Sequence, residues 1–330
     1  MENKAKIGII GVGFIGEIHM NGFAASGKAD VVAIADLNAE LLKSRQAAYG
    51  IPRIYTDYAQ MLQSEKLDGV VIATPDDAHR GPVEAAARAG LPVLLEKPVA
   101  TTPADVEAIV QAVEWARIPC LMGFSLRFSA NHIALKKRFE SGELGIPTTA
   151  YARRSTTVNG ARRLRGRCSV NEYLAVHDMD FLLWVFGKEV DSIYTTTSKA
   201  RVYEELGTAD HYWNLLRWKN GATASILASW GMPAGYPMRL EQEVLIIGSK
   251  GSAQLSLTGQ QTHVATDTTF ETPEIPMNAY TYRDECGHFA DVALGRAEPV
   301  TNVYDGLNTY KLTSAAEESV RTGEPIKVSL

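Results

Sequence analysis

The stretch from Lys6 to Ala25 constrains the fold more than any other. A short apolar run, Lys-Ile-Gly-Ile-Ile-Gly, leads into Gly11-Val12-Gly13-Phe14-Ile15-Gly16, and a helical pattern follows from Phe14 to Ala25. A G-x-G-x-x-G placed between strand and helix has a physical use. The first glycine permits the tight turn, the second lets a diphosphate approach the backbone, and the third allows close helix–strand packing. The helix N-terminus then offers free N–H groups and a partial positive charge to the anion. The next apolar run, Val31 to Asp36, ends in a carboxylate about 20 residues beyond Gly16, where it can accept both hydroxyls of an adenosine ribose. Asp36 would repel a 2′-phosphate, and no arginine follows it in Asp36-Leu37-Asn38. The stretch therefore predicts dinucleotide binding, with NAD favoured over NADP. Gly11, Gly13, Phe14, Ile15, Gly16, Asp36 and Leu37 are its candidate contacts.

The same rhythm continues to about residue 123. Asp68 to Thr74 and Leu91 to Glu96 read as buried strands, and Ile118 to Phe124 closes the series. Between them, Ala39 to Gly50 and Asp77 to Gly90 read as helices, and Thr102-Pro103 opens another with an N-cap threonine and proline at the first helical position. Continuous apolar strands alternating with helices imply a parallel sheet covered on both faces. Beyond Phe124 the pattern changes. A helix is expected near Ala130 to Ser141, and strand-like segments then dominate: 148–158, 191–203, 211–221, 222–230, 243–249 and 251–259. Turn pairs at Asn220-Gly221 and Lys250-Gly251 suggest antiparallel hairpins. Helices are expected again over Tyr282 to Leu294 and Asp305 to Arg321. The 330 residues thus divide into 1–123 and 124–330.

Composition excludes several classes. A net charge of −5 gives no basic surplus for nucleic acid. No run reaches the roughly 18 apolar residues of a membrane span. Cys120, Cys168 and Cys286 form neither a metal spacing nor a disulfide framework, so idle thiols in a reducing, cytoplasmic setting and no metal are expected.

Two further constellations carry chemistry. Thr74-Pro75-Asp76-Asp77-Ala78-His79 and Glu96-Lys97-Pro98 each follow a strand, at the sheet edge where open α/β folds bind ligands. Asn171 to Gly187 reads as a buried helix whose first half carries Tyr173, His177, Asp178 and Asp180. Tyr173, His177 and Asp180, at i, i+4 and i+7, are expected to share a face. With Gly123-Phe124-Ser125-Leu126-Arg127-Phe128, Ser141 to Gly145 and Val244 to Leu255, these motifs resemble the glucose–fructose oxidoreductase / inositol dehydrogenase (Gfo/Idh/MocA) family across nearly the whole chain.

That resemblance implies an N-terminal Rossmann domain with a doubly wound parallel sheet. It also implies a C-terminal α+β domain with a large open antiparallel sheet that binds substrate and builds a homodimer or homotetramer. The implied activity is NAD-linked hydride transfer at a hydroxyl carbon of a sugar, cyclitol or sugar acid. Lys97 would lie beside nicotinamide and substrate; partly desolvated, it could exchange a proton nearer neutral pH. Thr74, Pro75, Asp77, His79, Glu96, Lys97 and Arg127 would contact the cofactor. His177 would meet the substrate hydroxyl or, alternatively, cap internal carbonyls. Four residues before it the family pattern has Asp, and this chain has Tyr173. The departure leaves Tyr173 as a candidate acid. It also leaves open a non-redox NAD sensor or regulator, or a glycoside-cleaving relative that recycles bound NAD. The arginine-rich segment from Ala152 to Cys168, with Arg153 as a substrate candidate, would be a loop closing on an anionic substrate, or else a solvated, mobile loop or an oligomer contact.

Overall fold

The computed structural model describes residues 3–238, 240–256, 261–273 and 281–330. The first third alternates strand and helix: β1 (Ala5–Ile10), α1 (Phe14–Ser26), β2 (Ala29–Ala35), α2 (Ala39–Tyr49), β3 (Arg53–Tyr55), α3 (Tyr58–Ser64), β4 (Gly69–Ile72), α4 (Arg80–Arg88), β5 (Val93–Leu95), α5 (Pro103–Ala116) and β6 (Cys120–Met122). The Thr102 hydroxyl caps α5, accepting the Asp105 N–H at 3.2 Å with Pro103 behind it. β3 and α3 are not anticipated by sequence periodicity. A three-residue strand is too short to show a period, and the one local sign of α3 is Asp57, whose side chain accepts the Ala59 N–H at 2.8 Å.

The six strands form one parallel sheet in the order β3-β2-β1-β4-β5-β6. Ile7, Ile9, Val71, Leu94 and Leu121 are fully buried, as a sheet covered on both faces requires. Each such side chain contributes roughly 1.5–3 kcal/mol relative to exposure. The order reverses at β1, which lies between β2 and β4, so the crevice at its C-terminal end is a topological switch point.

The rest of the chain forms α6 (Ala130–Glu140), β7 (Pro147–Thr157), α7 (Val158–Leu164), a π-helical turn at Asn171–Ala175, α8 (Val176–Phe186), β8 (Val190–Ser198), α9 (Arg201–Leu206), β9 (His211–Trp218), β10 (Thr223–Met232), β11 (Leu240–Gly248), β12 (Gly251–Ser256), β13 (Gln261–Thr266), β14 (Phe270–Glu271), α10 (Thr281–Ala293), α11 (Val303–Thr322) and β15 (Ile326–Lys327). Its nine-stranded sheet runs β14-β13-β12-β11-β7-β10-β9-β8-β15. The sheet is mixed rather than wholly antiparallel, because β10 pairs with β7 in parallel. The hairpins at Asn220-Gly221 and Lys250-Gly251 form, Gly221 with φ +89°. The arginine-rich segment is not one loop: its first part belongs to β7 and its middle to α7. Likewise 199–203 leaves the expected strand and enters α9.

The chain divides into Met1–Phe128 with Ala279–Leu307, and Ser129–Asn278 with Asn308–Leu330. A single cut after residue 123 does not anticipate the return of α10 to the first unit. There α10 packs on α1 with almost no spacing. A Cβ at Gly22 would lie 2.7 Å from both the Tyr282 carbonyl oxygen and Cys286 Sγ. Among the described residues no helix is long and apolar enough to cross a membrane.

Candidate active site

The β1–α1 turn is built as its sequence predicts. Gly11 has φ +88°, and a Cβ there would lie 2.5 Å from the Ala73 carbonyl oxygen, so the backbone just after β4 leaves room only for glycine. A Cβ at Gly16 would lie 2.1 Å from the Gly11 carbonyl oxygen. Gly13, the N-cap of α1, faces open space, the place a diphosphate needs. Phe14 is half exposed beside it and Ile15 belongs to the same first turn of the helix. Asp36 ends β2 with each carboxylate oxygen accepting one backbone N–H, from Val12 at 2.9 Å and from Asn38 at 2.9 Å. Its orientation is therefore set by the glycine turn, and each oxygen keeps a lone pair for a ribose hydroxyl. Leu37 is 93% exposed, open to an adenine face. Arg45 reaches the same turn through the Val12 carbonyl oxygen at 3.3 Å, but Glu17 takes its guanidinium at 2.5 and 2.7 Å, so its charge is spent within the protein. These residues fit NAD.

At the ends of β4 and β5 one side chain ties two loops. His79 is buried, with Nδ1 3.0 Å from the Pro98 carbonyl oxygen and Nε2 3.2 Å from that of Thr74. Burial lowers its pKa, so the ring is neutral. A neutral ring carries one N–H, so His79 donates to one of these carbonyl oxygens and only lies against the other; both ring nitrogens are turned to backbone rather than outward. Pro75 and Asp77 are exposed, Thr74 half-buried. Lys97 is half-buried and its backbone N–H donates to Glu96 Oε2 at 3.2 Å. Glu96 is buried, its other oxygen 2.8 Å from His19 Nε2. Arg127, in a short 3₁₀ turn after β6, is half-buried 3.8 Å from Asp305.

The second unit carries the other candidates. Tyr173 lies on the π turn and His177 on α8, both half-buried, whereas Asp178 and Asp180 are buried. The π turn alters the step from Tyr173 to His177, because its i→i+5 bonding adds a residue to the turn. His177 and Asp180 keep the i, i+3 spacing of α8, Asp180 being the more buried of the two. Asp178 receives both arms of Arg154 at 2.8 and 3.0 Å, a buried bidentate pair joining β7 to α8. Asn171 and Asn214 exchange amide hydrogen bonds at 3.1 and 2.8 Å and moor the π turn to β9. Arg163 donates to the Tyr173 hydroxyl and lies 5.8 Å over its ring. Arg162 pairs with Glu205, and Arg153 lies 3.6 Å from both Glu241 and Glu243. Three arginines of the segment thus have carboxylate partners within the protein, Arg154 in a buried pair and Arg162 in a solvent-exposed one.

The sequence reasoning missed His19, Cys286 and Glu285. His19 had a usable signal, an imidazole three residues after Gly16 on a helix face that must meet the sheet. Glu285 had none, since a carboxylate beside Asp284 reads as a solvated helix face. Among the described residues no cluster of three or more His, Cys, Asp or Glu could hold a metal ion.

Comparison with known proteins places this geometry. Residues 5–124 match the model of an oxidoreductase family with an NAD-binding Rossmann fold, and residues 132–254 match the GFO/IDH/MocA C-terminal domain. The chain is 28% identical over 340 aligned positions to a D-apiose dehydrogenase of Paraburkholderia graminis, covering 98% of this chain and 90% of that protein. It is 27% identical to a myo-inositol 2-dehydrogenase of Thermotoga maritima, covering 98% of each. An Agrobacterium radiobacter oxidoreductase solved with NAD+, L-tartaric acid and magnesium superposes with a TM-score of 0.87 at 26% identity, covering 98% of each chain.

Proposed function

The chain belongs to the Gfo/Idh/MocA family of oxidoreductases with an NAD-binding Rossmann fold, and on that premise we propose how it works. It transfers a hydride between NAD and a hydroxyl carbon of a small sugar, cyclitol or sugar acid. The observation that carries the reading is Asp36, locked by two backbone N–H groups beside a turn that admits only glycine. NAD, held by the Gly11–Gly16 turn and Asp36, would supply the hydride acceptor. The hydroxyl proton has to leave as well, and Lys97 takes it, half-buried at the end of β5 on a peptide fastened to Glu96. His177 holds the substrate hydroxyl, and Tyr173, hydrogen-bonded by Arg163, replaces the carboxylate of the family pattern. An acidic substrate is supported by Arg163 more than by Arg153, whose charge faces Glu241 and Glu243.

We further propose a homo-oligomer built on the second unit and a cytoplasmic protein, the latter supported by three buried free cysteines. One observation favours a second reading, a protein that binds NAD without turning it over: Tyr173 gives no carboxylate to orient an imidazolium.

The test is a panel of inositols, aldoses, polyols and uronates with NAD+, followed by NADH absorbance. We expect reduction with at least one class and little with NADP+. Equal use of NADP+ overturns the Asp36 argument, and tight NAD binding with silence across the panel favours the second reading. On the active substrate, Lys97→Ala is expected to lose about 10²-fold in turnover while binding NAD normally. Full activity in that variant overturns the mechanism.

A further inference from the structure

Glu96 precedes Lys97, yet its carboxylate turns inward. It is buried, with Oε1 2.8 Å from His19 Nε2 on α1 and Oε2 accepting the Lys97 backbone N–H at 3.2 Å. A Cβ at position 123 would lie 3.2 Å from the Glu96 carboxyl carbon, so Gly123 clears the space the side chain occupies. His19 is itself fully buried and held from the other side. Its Nδ1 lies 3.5 Å from Cys286 Sγ, and its ring meets Tyr282 edge-on at 5.9 Å, both on α10. Burying an imidazole against a carboxylate is costly unless each satisfies the other. Here the pair satisfies itself and passes its second carboxylate oxygen to the peptide of Lys97.

We infer that His19 is a positioning residue for Lys97: acting through Glu96, it fixes the peptide from which Lys97 extends and the negative charge next to it. The inference rests on the reading of Lys97 as the proton-transfer residue. Among the described residues, the titratable groups that interact with Glu96 are His19 from α1, Lys97 and His79 from the strand ends, and Glu285 and Cys286 from α10. Burial would raise the Glu96 carboxyl, but the His19 hydrogen bond and the charges of His19 and Lys97 carry it below its ordinary value. Glu285 is fully buried, and neither of its carboxyl oxygens has a hydrogen-bond partner among the described residues. Burial and then the Glu96 charge push it well up, so it stands as the neutral acid. The same two causes, with Glu285 between them, raise Cys286. Burial lowers His79, against the opposing pull of Glu96 and Asp76. Glu96 is thus the carboxylate of this cluster, and its charge favours the ammonium that Lys97 becomes on taking the hydroxyl proton. Without His19, Glu96 loses its side-chain donor, keeps only the Lys97 backbone N–H, and moves towards its neutral acid. Lys97 then gives up its proton at a lower pH.

The experiment reads Lys97 directly, without a substrate. The NAD-saturated protein is acetylated across a pH series, and peptide mass spectrometry gives the labelling midpoint of each lysine. His19→Ala is expected to lower the Lys97 midpoint by about one pH unit, with other lysines unmoved. His19→Gln, a neutral donor of similar reach, restores most of it. Glu96→Gln produces the same fall, and adding His19→Ala to it changes nothing more. An unmoved Lys97 in His19→Ala overturns the inference, as does a shift that persists at full size when added to Glu96→Gln. Should His19→Ala fail to fold, Glu96→Gln decides alone, since an unmoved Lys97 there removes the link. A positive result in a protein silent across the substrate panel leaves the arrangement standing and overturns the dehydrogenase reading instead.

Discussion

Tyr173 is where a single residue has most to say about chemistry. A phenol stands where the family pattern has a carboxylate, and Arg163 donates to its hydroxyl. A carboxylate beside that guanidinium would form an ion pair and be drawn away from substrate; a phenol stays neutral and keeps its own proton to donate. Tyr173→Phe removes that donor while leaving the ring under Arg163. One hydrogen bond to a charged group is worth about 1.5–3 kcal/mol, so kcat/KM is expected to fall at least about tenfold with NAD affinity unchanged. A variant as fast as the parent would make Tyr173 a packing residue. At this scale the sequence was readable where a backbone constraint names the residue type. A Cβ at Gly11 or Gly16 would lie 2.5 or 2.1 Å from a backbone carbonyl oxygen, so no other residue fits. It was unreadable where a side chain's role depends on a partner far along the chain: Arg154 resembled its arginine neighbours until Asp178 buried it, and His79 resembled a ligand-facing residue until the Pro98 carbonyl claimed it.

Elements show the same division. The parallel strands of the first unit announce themselves as apolar runs, and the hairpin glycines mark their turns. The phase of the second sheet is harder to read, because a one-residue slip exchanges its two faces. Tyr194, Tyr212, Trp218 and Trp230 look equally available to an exposed face. In the structure only Tyr194 lies there; Tyr212, Trp218 and Trp230 are buried, Trp218 and Trp230 donating to the carbonyl oxygens of Gly187 and Ala209. The exposed stripe consists instead of Tyr194, Trp213 and Leu215, with Tyr151 beside Trp213. The α1–α10 contact was likewise hidden, since nothing near Gly22 says that a helix more than 250 residues later will touch it. Gly22→Ala would set a methyl 2.7 Å from the Tyr282 carbonyl, and a helix backbone cannot yield as a flexible side chain does. Overpacking of this kind costs about 1–3 kcal/mol. A lower urea midpoint with an unchanged m-value is the expected reading, and an unchanged midpoint would mean that α10 shifts freely.

For the whole molecule, two properties follow from where apolar and titratable groups end up. The exposed stripe of Tyr194, Trp213 and Leu215 is apolar area that a single chain would leave in water. Trp213→Glu is therefore expected to lower the molar mass measured by light scattering to that of one chain; a parent protein that is already monomeric refutes the assembly. The second property is the pH dependence of stability. Burial, and then the charge of Arg154, push His132 down to about 3, and burial lowers His79. Both rings are neutral in the fold, whereas in the unfolded chain each takes a proton near the ordinary histidine value of about 6.5. Below that pH the unfolded state binds more protons than the native one, so stability falls as pH drops. Each histidine contributes a slope of up to about 1.4 kcal/mol per pH unit, and for His132 the loss continues down to about pH 3. Glu285 has the opposite sign. Its carboxyl is held well above the ordinary 4.5 by burial, so the native state keeps a proton that the unfolded chain releases, and it costs stability as pH rises above that value. Thermal melts across this range separate the two. His132→Asn should flatten the loss between pH 6.5 and 4.5, and Glu285→Gln, neutral at every pH, should raise the melting temperature at pH 8 more than at pH 5. If Glu285→Gln lowers stability at pH 8, the carboxyl is ionised and supported in the fold, and the neutral acid assigned to α10 is wrong.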